Sequence, residues 1–106
     1  MKDPIQALDR IDVLGRRKDG GADLVIIVST FLDDVPEHEY LLKRKIQNYV
    51  DTIFSNEFQN EFGKIDDNQY TIVIKCSIEP HPNIITLIQG ISQYLHEHRL
   101  NLIIET

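Results

Sequence analysis

The segment DLVIIVSTFLDDVPEHEYLLKRKIQNYVDTIFS, residues 23–55, joins a strand-like stretch to a helix-like one. Residues 23–31 are rich in β-branched side chains, which favour a strand. Pro36 then suits the first turn of a helix, where a missing N–H leaves no hydrogen bond unmade. Beyond it apolar residues recur every three or four positions, the period of an amphipathic helix. We therefore predict a strand followed directly by a helix over residues 35–55.

The residues that precede this segment predict a β-hairpin. Residues 9–16 alternate apolar and polar side chains as a half-buried strand does. Asp19-Gly20 can adopt the positive φ angles of a two-residue turn, and Val13 then lies opposite Ile26. A turn at Gly20-Gly21 is the alternative, which slips the pairing but keeps the same residues on each face.

The second half of the chain predicts strand, helix and strand again. Residues 69–78 alternate cleanly, which is typical of a sheet that is covered on one face. A helix is expected over residues 83–98 and a last strand over residues 100–105. Asn56 suits a left-handed cap at the end of the first helix, and we expect Phe58 and Phe62 to fold the following loop onto the core.

These elements predict an α+β fold with the order ββαβαβ. We expect a two-layer sandwich in which a four-stranded mixed sheet carries two helices on one face. The favoured strand order is 1-2-3-4, with strand 1 antiparallel to three parallel strands, and insertion of strand 1 elsewhere is the alternative. At 106 residues the chain has the length of a single domain, residues 1–106.

Charge and composition exclude several classes of function. The formal net charge is −6, which repels a phosphate backbone, so we expect no nucleic-acid partner. The longest apolar run of the chain is too short to span a membrane, so we expect no membrane association. We expect a cytoplasmic protein. The one cysteine, Cys76, cannot form an intrachain disulfide and is expected to point into the core as a packing residue. No cofactor-binding motif is present.

The polar residues offer one candidate site and no motif for a catalytic or metal centre. Asp33, Asp34 and His38 lie at the predicted junction of strand and helix, where a carboxylate neighbour would tune a histidine as a base. An exposed first helical turn explains the same residues without any activity. The run His96-Glu97-His98 places its two imidazoles on nearly opposite sides of a helix, so we expect no metal site there.

The predicted outer face of the sheet carries an apolar patch. Leu14, Val25 and Ile27 are expected there, joined by Val73 of the third strand. Contiguous exposed apolar surface on a small protein often marks an interface. An ordinary scatter of apolar surface residues is the alternative, as is partial cover by the N-terminal segment.

Part of the chain resembles a family of short, uncharacterised bacterial proteins known as a domain of unknown function. The resemblance covers residues 11–55. It rests on Ile11-Asp12-Val13, on the strand from Val25 to Ser29, on Leu32-Asp33, and on helix residues at the family's spacing: His38, Leu41, Leu42, Lys45, Ile46, Tyr49, Ile53 and Ser55. Where the family tends to have an Asp-His pair and a Trp, this chain has Thr30-Phe31 and Asp34. The resemblance implies a fold and a bacterial origin, and it implies no activity.

The sequence therefore favours a non-enzymatic interaction protein. We expect self-association or a protein partner, bound through the outer sheet face or the strand-to-helix junction. An immunity-type protein that neutralises a basic toxin is one specific form, since acidity often complements a basic nuclease. The alternative is a small-molecule-binding module or hydrolase that uses the region of Asp33, Asp34 and His38.

Overall fold

In the computed structural model, apolar side chains alternate along the strands and form a stripe along each of the two long helices. The structure describes residues 13–16, 21–62 and 70–106, and all structural statements below concern that part of the chain. Within it the elements are β1 (Val13–Arg16), β2 (Ala22–Val28), α1 (Pro36–Ile53), α2 (Asn56–Phe62), β3 (Tyr70–Cys76), α3 (Pro82–Glu97) and β4 (Leu100–Glu105). The predicted bounds of the long helices and of the last strand agree with these to within two residues.

Three parallel strands form the body of the sheet, in the order β2-β3-β4. Each crossover returns the chain through a helix to the edge where the previous strand began, so the next strand runs parallel. The fold is therefore α/β, and the predicted α+β class is wrong. The four-residue β1 pairs antiparallel with β2 at the edge of these parallel strands, in the order β1-β2-β3-β4.

The hairpin pairs in a register one residue away from the predicted one. Val13 is paired with Val25 and Leu14 with Leu24, whereas the prediction placed Val13 opposite Ile26. Among the described residues the pairing extends to Arg16 with Ala22, and the predicted turn residues Asp19-Gly20 lie outside the described residues. Residues 9–12 of the predicted first strand lie outside the described residues. Because a slip of one residue exchanges the two faces, Leu14 occupies the register position of a core residue.

One apolar core lies between the sheet and both long helices. Alternate residues of the strands meet the helical stripes in a single cluster, which confirms that α1 and α3 share one face of the sheet. Cys76 is in this cluster, as predicted. Tyr49 of α1 also donates a hydrogen bond from its hydroxyl to the Val25 carbonyl oxygen at 2.8 Å, which fixes the helix against β2.

The central strand β3 is buried on both faces over most of its length. Thr71 and Val73 are each only 7% exposed, although the alternation predicted that they face solvent. They lie between paired neighbours on β2 and β4, and Lys75 is the residue of this strand that remains exposed. A strand with a neighbour on each side therefore buries small outer side chains that periodicity alone assigns to the surface.

A second short helix replaces the predicted loop after α1. The Ser55 hydroxyl accepts a hydrogen bond from the Phe58 backbone N–H at 3.2 Å, which makes Ser55 an N-cap. Asn56 begins α2 and is not a left-handed cap; α1 ends instead on Phe54 with φ −82°. Phe58 does return to the core, where its ring meets Tyr70 edge-on at 5.3 Å. The side chain of Phe62 lies outside the described residues.

A residue with a strained backbone conformation follows helix α3. Arg99 has φ 67°, the left-handed region that glycine usually occupies after a helix.

We expect Arg99→Gly to raise the free energy of unfolding by about 0.5–1 kcal/mol, because it relieves the Cβ clash of this region. Urea denaturation measures the difference. Arg99→Ala is the matched control, since it removes the side chain and keeps the Cβ; equal effects of the two substitutions would contradict the explanation.

Candidate functional site

Two loops leave the sheet side by side at the carboxyl ends of β2 and β3. The first loop, residues 29–35, leads into α1, and the second loop, residues 77–81, leads into α3. Backbone hydrogen bonds join them at both ends: Ser77 N–H donates to the Val28 oxygen at 3.0 Å, and His81 N–H donates to the Leu32 oxygen at 2.9 Å. In parallel α/β sheets this edge is where ligand-binding and catalytic groups usually lie.

Asp34 links the first loop to α3. The Asn83 side-chain amide donates to Asp34 Oδ2 at 2.7 Å, across 49 positions of sequence. This bond is the largest cause that holds the pKa of Asp34 below its ordinary value. Desolvation opposes it, while a hydrogen bond with Glu39 and the electrostatic interaction with His81 lower the pKa further. Asp34 therefore acts here as a connecting carboxylate.

Both histidines of the junction accept hydrogen bonds at the same ring atom. The Asp33 backbone N–H donates to His38 Nδ1 at 2.8 Å, and the Asn83 backbone N–H donates to His81 Nδ1 at 3.0 Å. A nitrogen that accepts a hydrogen bond carries the lone pair, so the neutral ring holds its proton on Nε2. Each imidazole thus fixes a loop with one nitrogen and presents an N–H donor with the other.

The predicted polar site is assembled, but its geometry disfavours base chemistry. Asp33, Asp34 and His38 do lie in one junction, where Asp33 Oδ1 accepts the Asp34 backbone N–H at 2.8 Å. The lone pair that His38 would need as a general base is engaged by the backbone. The arrangement holds two loops in one conformation.

Exposed apolar side chains occur on the same two loops. Phe31 is 42% exposed and Val35 is 36% exposed in the first loop, and Ile78 is 50% exposed in the second. We call these three side chains, with the carboxylates of Asp33 and Asp34, the junction surface. Large apolar groups on hydrogen-bonded loops are typical of a contact surface because little order remains to be gained on binding.

The predicted patch on the outer sheet face is less exposed than expected. Val25 and Ile27 are half-buried and Val73 is buried; with charged neighbours they line a shallow depression of about 270 Å³. Leu14 is paired with Leu24, and Val13 is the residue paired with Val25. The register therefore does not group Leu14 with Val25 on one face of the sheet. The three remaining residues still share one face of neighbouring strands.

The described residues contain neither a metal-binding cluster nor a membrane-spanning helix. No group of three histidine, cysteine or acidic side chains in residues 13–16, 21–62 and 70–106 is placed to hold a metal ion. In the same ranges every helix is too short or too polar to cross a bilayer. Burial raises the pKa of the Cys76 thiol, which disfavours the reactive thiolate.

A family model matches residues 4–106, nearly the whole chain. The chain belongs to DUF6572, a family of unknown function. This match confirms the resemblance seen in the sequence and extends it through the second half of the chain. No curated protein and no solved structure matches the chain.

Two features of this DUF6572 chain carry little or no local sequence signal. The bonds of Asn83 and His81 to the first loop join residues far apart in sequence, so periodicity does not predict them. Lys45 of α1 is fully buried, with its Nζ 5.6 Å from the centroid of the Tyr49 ring, although a lysine is ordinarily found at the surface. Its i+4 spacing from that aromatic residue is the one hint the sequence offers.

The Asp34–Asn83 link makes a prediction about pH. Asn83→Ala should raise the pKa of Asp34 toward its ordinary value, because the main stabilising donor of the ionised carboxylate is lost. The lowered pKa in the folded protein means that this link stabilises the fold at neutral pH and that its contribution is lost as acid protonates Asp34. An NMR titration of the side-chain carboxyl carbon measures the pKa directly.

Gln89→Ala, which removes an exposed amide elsewhere on α3, is the matched control for that titration. It should leave the pKa of Asp34 unchanged. An unchanged pKa in Asn83→Ala would show that the link does not hold in solution.

Proposed function

We propose that the protein is a non-enzymatic interaction module that binds a partner protein through the junction surface. The observation that carries this proposal is the position of Val35. It is the N-cap of α1, has no side-chain capping hydrogen bond, and is exposed. Serine, threonine, aspartate or asparagine would stabilise this position. Valine provides no capping oxygen and exposes an apolar side chain to water, and both features lower the stability of the fold. A residue that costs stability and presents apolar surface is suited to contact with another molecule.

The charge of the junction favours a basic partner. Asp33 and Asp34 lie beside the exposed apolar groups, and the chain as a whole has a formal net charge of −6. Complementary charge around an apolar contact accelerates association and selects partners. A second copy of the chain is less suitable, because a symmetric contact would bring the same carboxylates together. A basic nuclease toxin is one partner of this chemistry, and the protein would then be of the immunity type.

The alternative of a ligand-binding module or hydrolase has weaker support. It relies on the convergence of Asp33, Asp34 and His38, whose polar atoms already bond to the protein itself. The outer sheet face is the second candidate for an interface. It has Val25 and Ile27 half-exposed, but its central residue Val73 is already buried.

Substitution of Val35 separates binding from stability. Val35→Ser should raise the free energy of unfolding by about 0.5–1 kcal/mol, because it supplies the missing N-cap oxygen. The same variant should capture less partner, because it removes apolar contact area. Affinity capture of the tagged protein from its source cells, quantified by mass spectrometry, measures binding, and urea denaturation measures stability. A loss of partner in a more stable variant is not explained by misfolding.

Two aromatic residues of similar exposure provide the matched control. Phe31 is 42% exposed on the junction surface, and Phe54 is 44% exposed at the other end of α1. Phe31→Ser should reduce capture by about tenfold or more, as loss of an interface anchor does, whereas Phe54→Ser should not. High salt should weaken capture if carboxylates attract the partner.

Other outcomes would overturn this assignment. Loss of the partner in a Val25→Lys, Ile27→Lys variant, with capture intact in Phe31→Ser, would move the interface to the outer sheet face. Recovery of only further copies of the chain, with Phe31→Ser becoming monomeric, would establish self-association in place of a basic partner.

A further inference from the structure

The two long helices leave a groove between them that the junction surface does not include. It has a volume of about 350 Å³ and is lined by residues of α1 and of the C-terminal half of α3, with His98 beyond it. Sites for small ligands commonly have volumes of about 300–1,000 Å³. Neither β-strands nor loops of the junction contribute to the lining among the described residues.

The floor of the groove is apolar. Ile46 and Leu95 are buried in the core, and Val50 and Ile91 lie beside them at half-buried positions. From Lys43 to Val50 the groove follows eight residues of helix, a length of about 10 Å at the rise of an α-helix. A short alkyl chain laid along this floor would cover apolar surface that water now reaches.

The polar residues that line the groove differ in charge from the protein as a whole. Lys43 stands at one end and His98 at the other, and among the described lining residues none is acidic. The chain as a whole has 17 aspartate and glutamate residues against 11 lysine and arginine residues. The described lining of the groove, which has a lysine and no acidic residue, therefore differs from the average surface. Tyr94 forms a side wall, with its ring 4.7 Å from that of His98.

We propose that this groove binds an amphiphilic carboxylate of medium chain length. The alkyl chain lies over Val50 and Ile91, and the carboxylate accepts hydrogen bonds from the Lys43 ammonium group. Lys43 is exposed and lines the groove, whereas His98 is held against the Tyr94 ring. The inference does not depend on the proposed partner protein, because the two sites share no residue.

Octanoate is a suitable probe, and octylammonium is its control with the same chain and the opposite charge. We expect octanoate to saturate a single site with a Kd on the order of 1 mM, as the usual efficiency of a ligand of this size implies. Chemical-shift changes in ¹H–¹⁵N spectra should centre on residues 43–50 and 91–98. Octylammonium should bind much more weakly.

A charge reversal distinguishes Lys43 from general surface charge. Lys43→Glu should weaken octanoate binding by about tenfold, the effect of losing one charge-assisted hydrogen bond, and should improve octylammonium binding. Arg44→Glu is the matched control, because Arg44 is the exposed neighbour outside the groove. Circular dichroism checks that both variants are folded.

Three results would each overturn the proposal. They are non-saturating octanoate binding, equal binding of octylammonium by the unchanged protein, and equal effects of the two charge variants. Shift changes confined to the two loops of the junction would assign octanoate to that surface and also contradict the proposal.

Discussion

The parallel pairing of β2 with β3 is the constraint on which the remaining structure depends. Seven consecutive pairs, from Ala22 with Tyr70 to Val28 with Cys76, hold the two strands level at their carboxyl ends. Because both chains leave the sheet at the same edge, α1 and α3 begin beside each other and return along the same face. The shared core, the junction surface and the groove between the helices all follow from this one alignment.

Hydrogen bonds then give the junction a single conformation. The backbone bonds of Ser77 and His81 join the second loop to the first, and the Asn83 amide adds a link to Asp34. His38 closes the first loop upon itself through the Asp33 N–H. Since the polar groups satisfy one another, the apolar side chains of Phe31, Val35 and Ile78 are left as the part of this edge that is available for contact. Within the same network the Nδ1 lone pair of His38 is engaged by the backbone, which disfavours its use as a general base.

Features set by periodicity were predictable from the sequence, and features set by distant contacts were not. The stripe of α1 and the alternation of β4 depend on neighbours in sequence, and both elements lie where expected. The burial of Thr71 depends instead on the strands at either side, and the sequence Asp19-Gly20-Gly21 is compatible with several hairpin pairings, so it does not fix the register. The start of α2 had a local signal in the Ser55 hydroxyl, but it competed with the reading of Asn56 as a cap.

The candidate site shows the same division. Asp33, Asp34 and His38 were found because they are close in sequence, whereas Asn83 and His81 enter the site only through the fold. The burial of Lys45 is likewise not predictable from the sequence, because a lysine among apolar residues is ordinarily exposed to solvent. The outer-face patch is smaller than predicted because Val73, paired with Val25 and Ile103, is buried.

The tautomeric state of His38 and His81 is the most direct test of whether hydrogen bonds hold the junction in one conformation. Long-range ¹H–¹⁵N correlation spectra at neutral or slightly alkaline pH distinguish a ring protonated on Nε2 from one protonated on Nδ1. The structure predicts the Nε2–H form for both His38 and His81, because each Nδ1 accepts a backbone hydrogen bond. Finding the Nδ1–H form, or a rapid mixture of both forms, would show that the loops are not held as described and would remove the basis for a preformed junction surface.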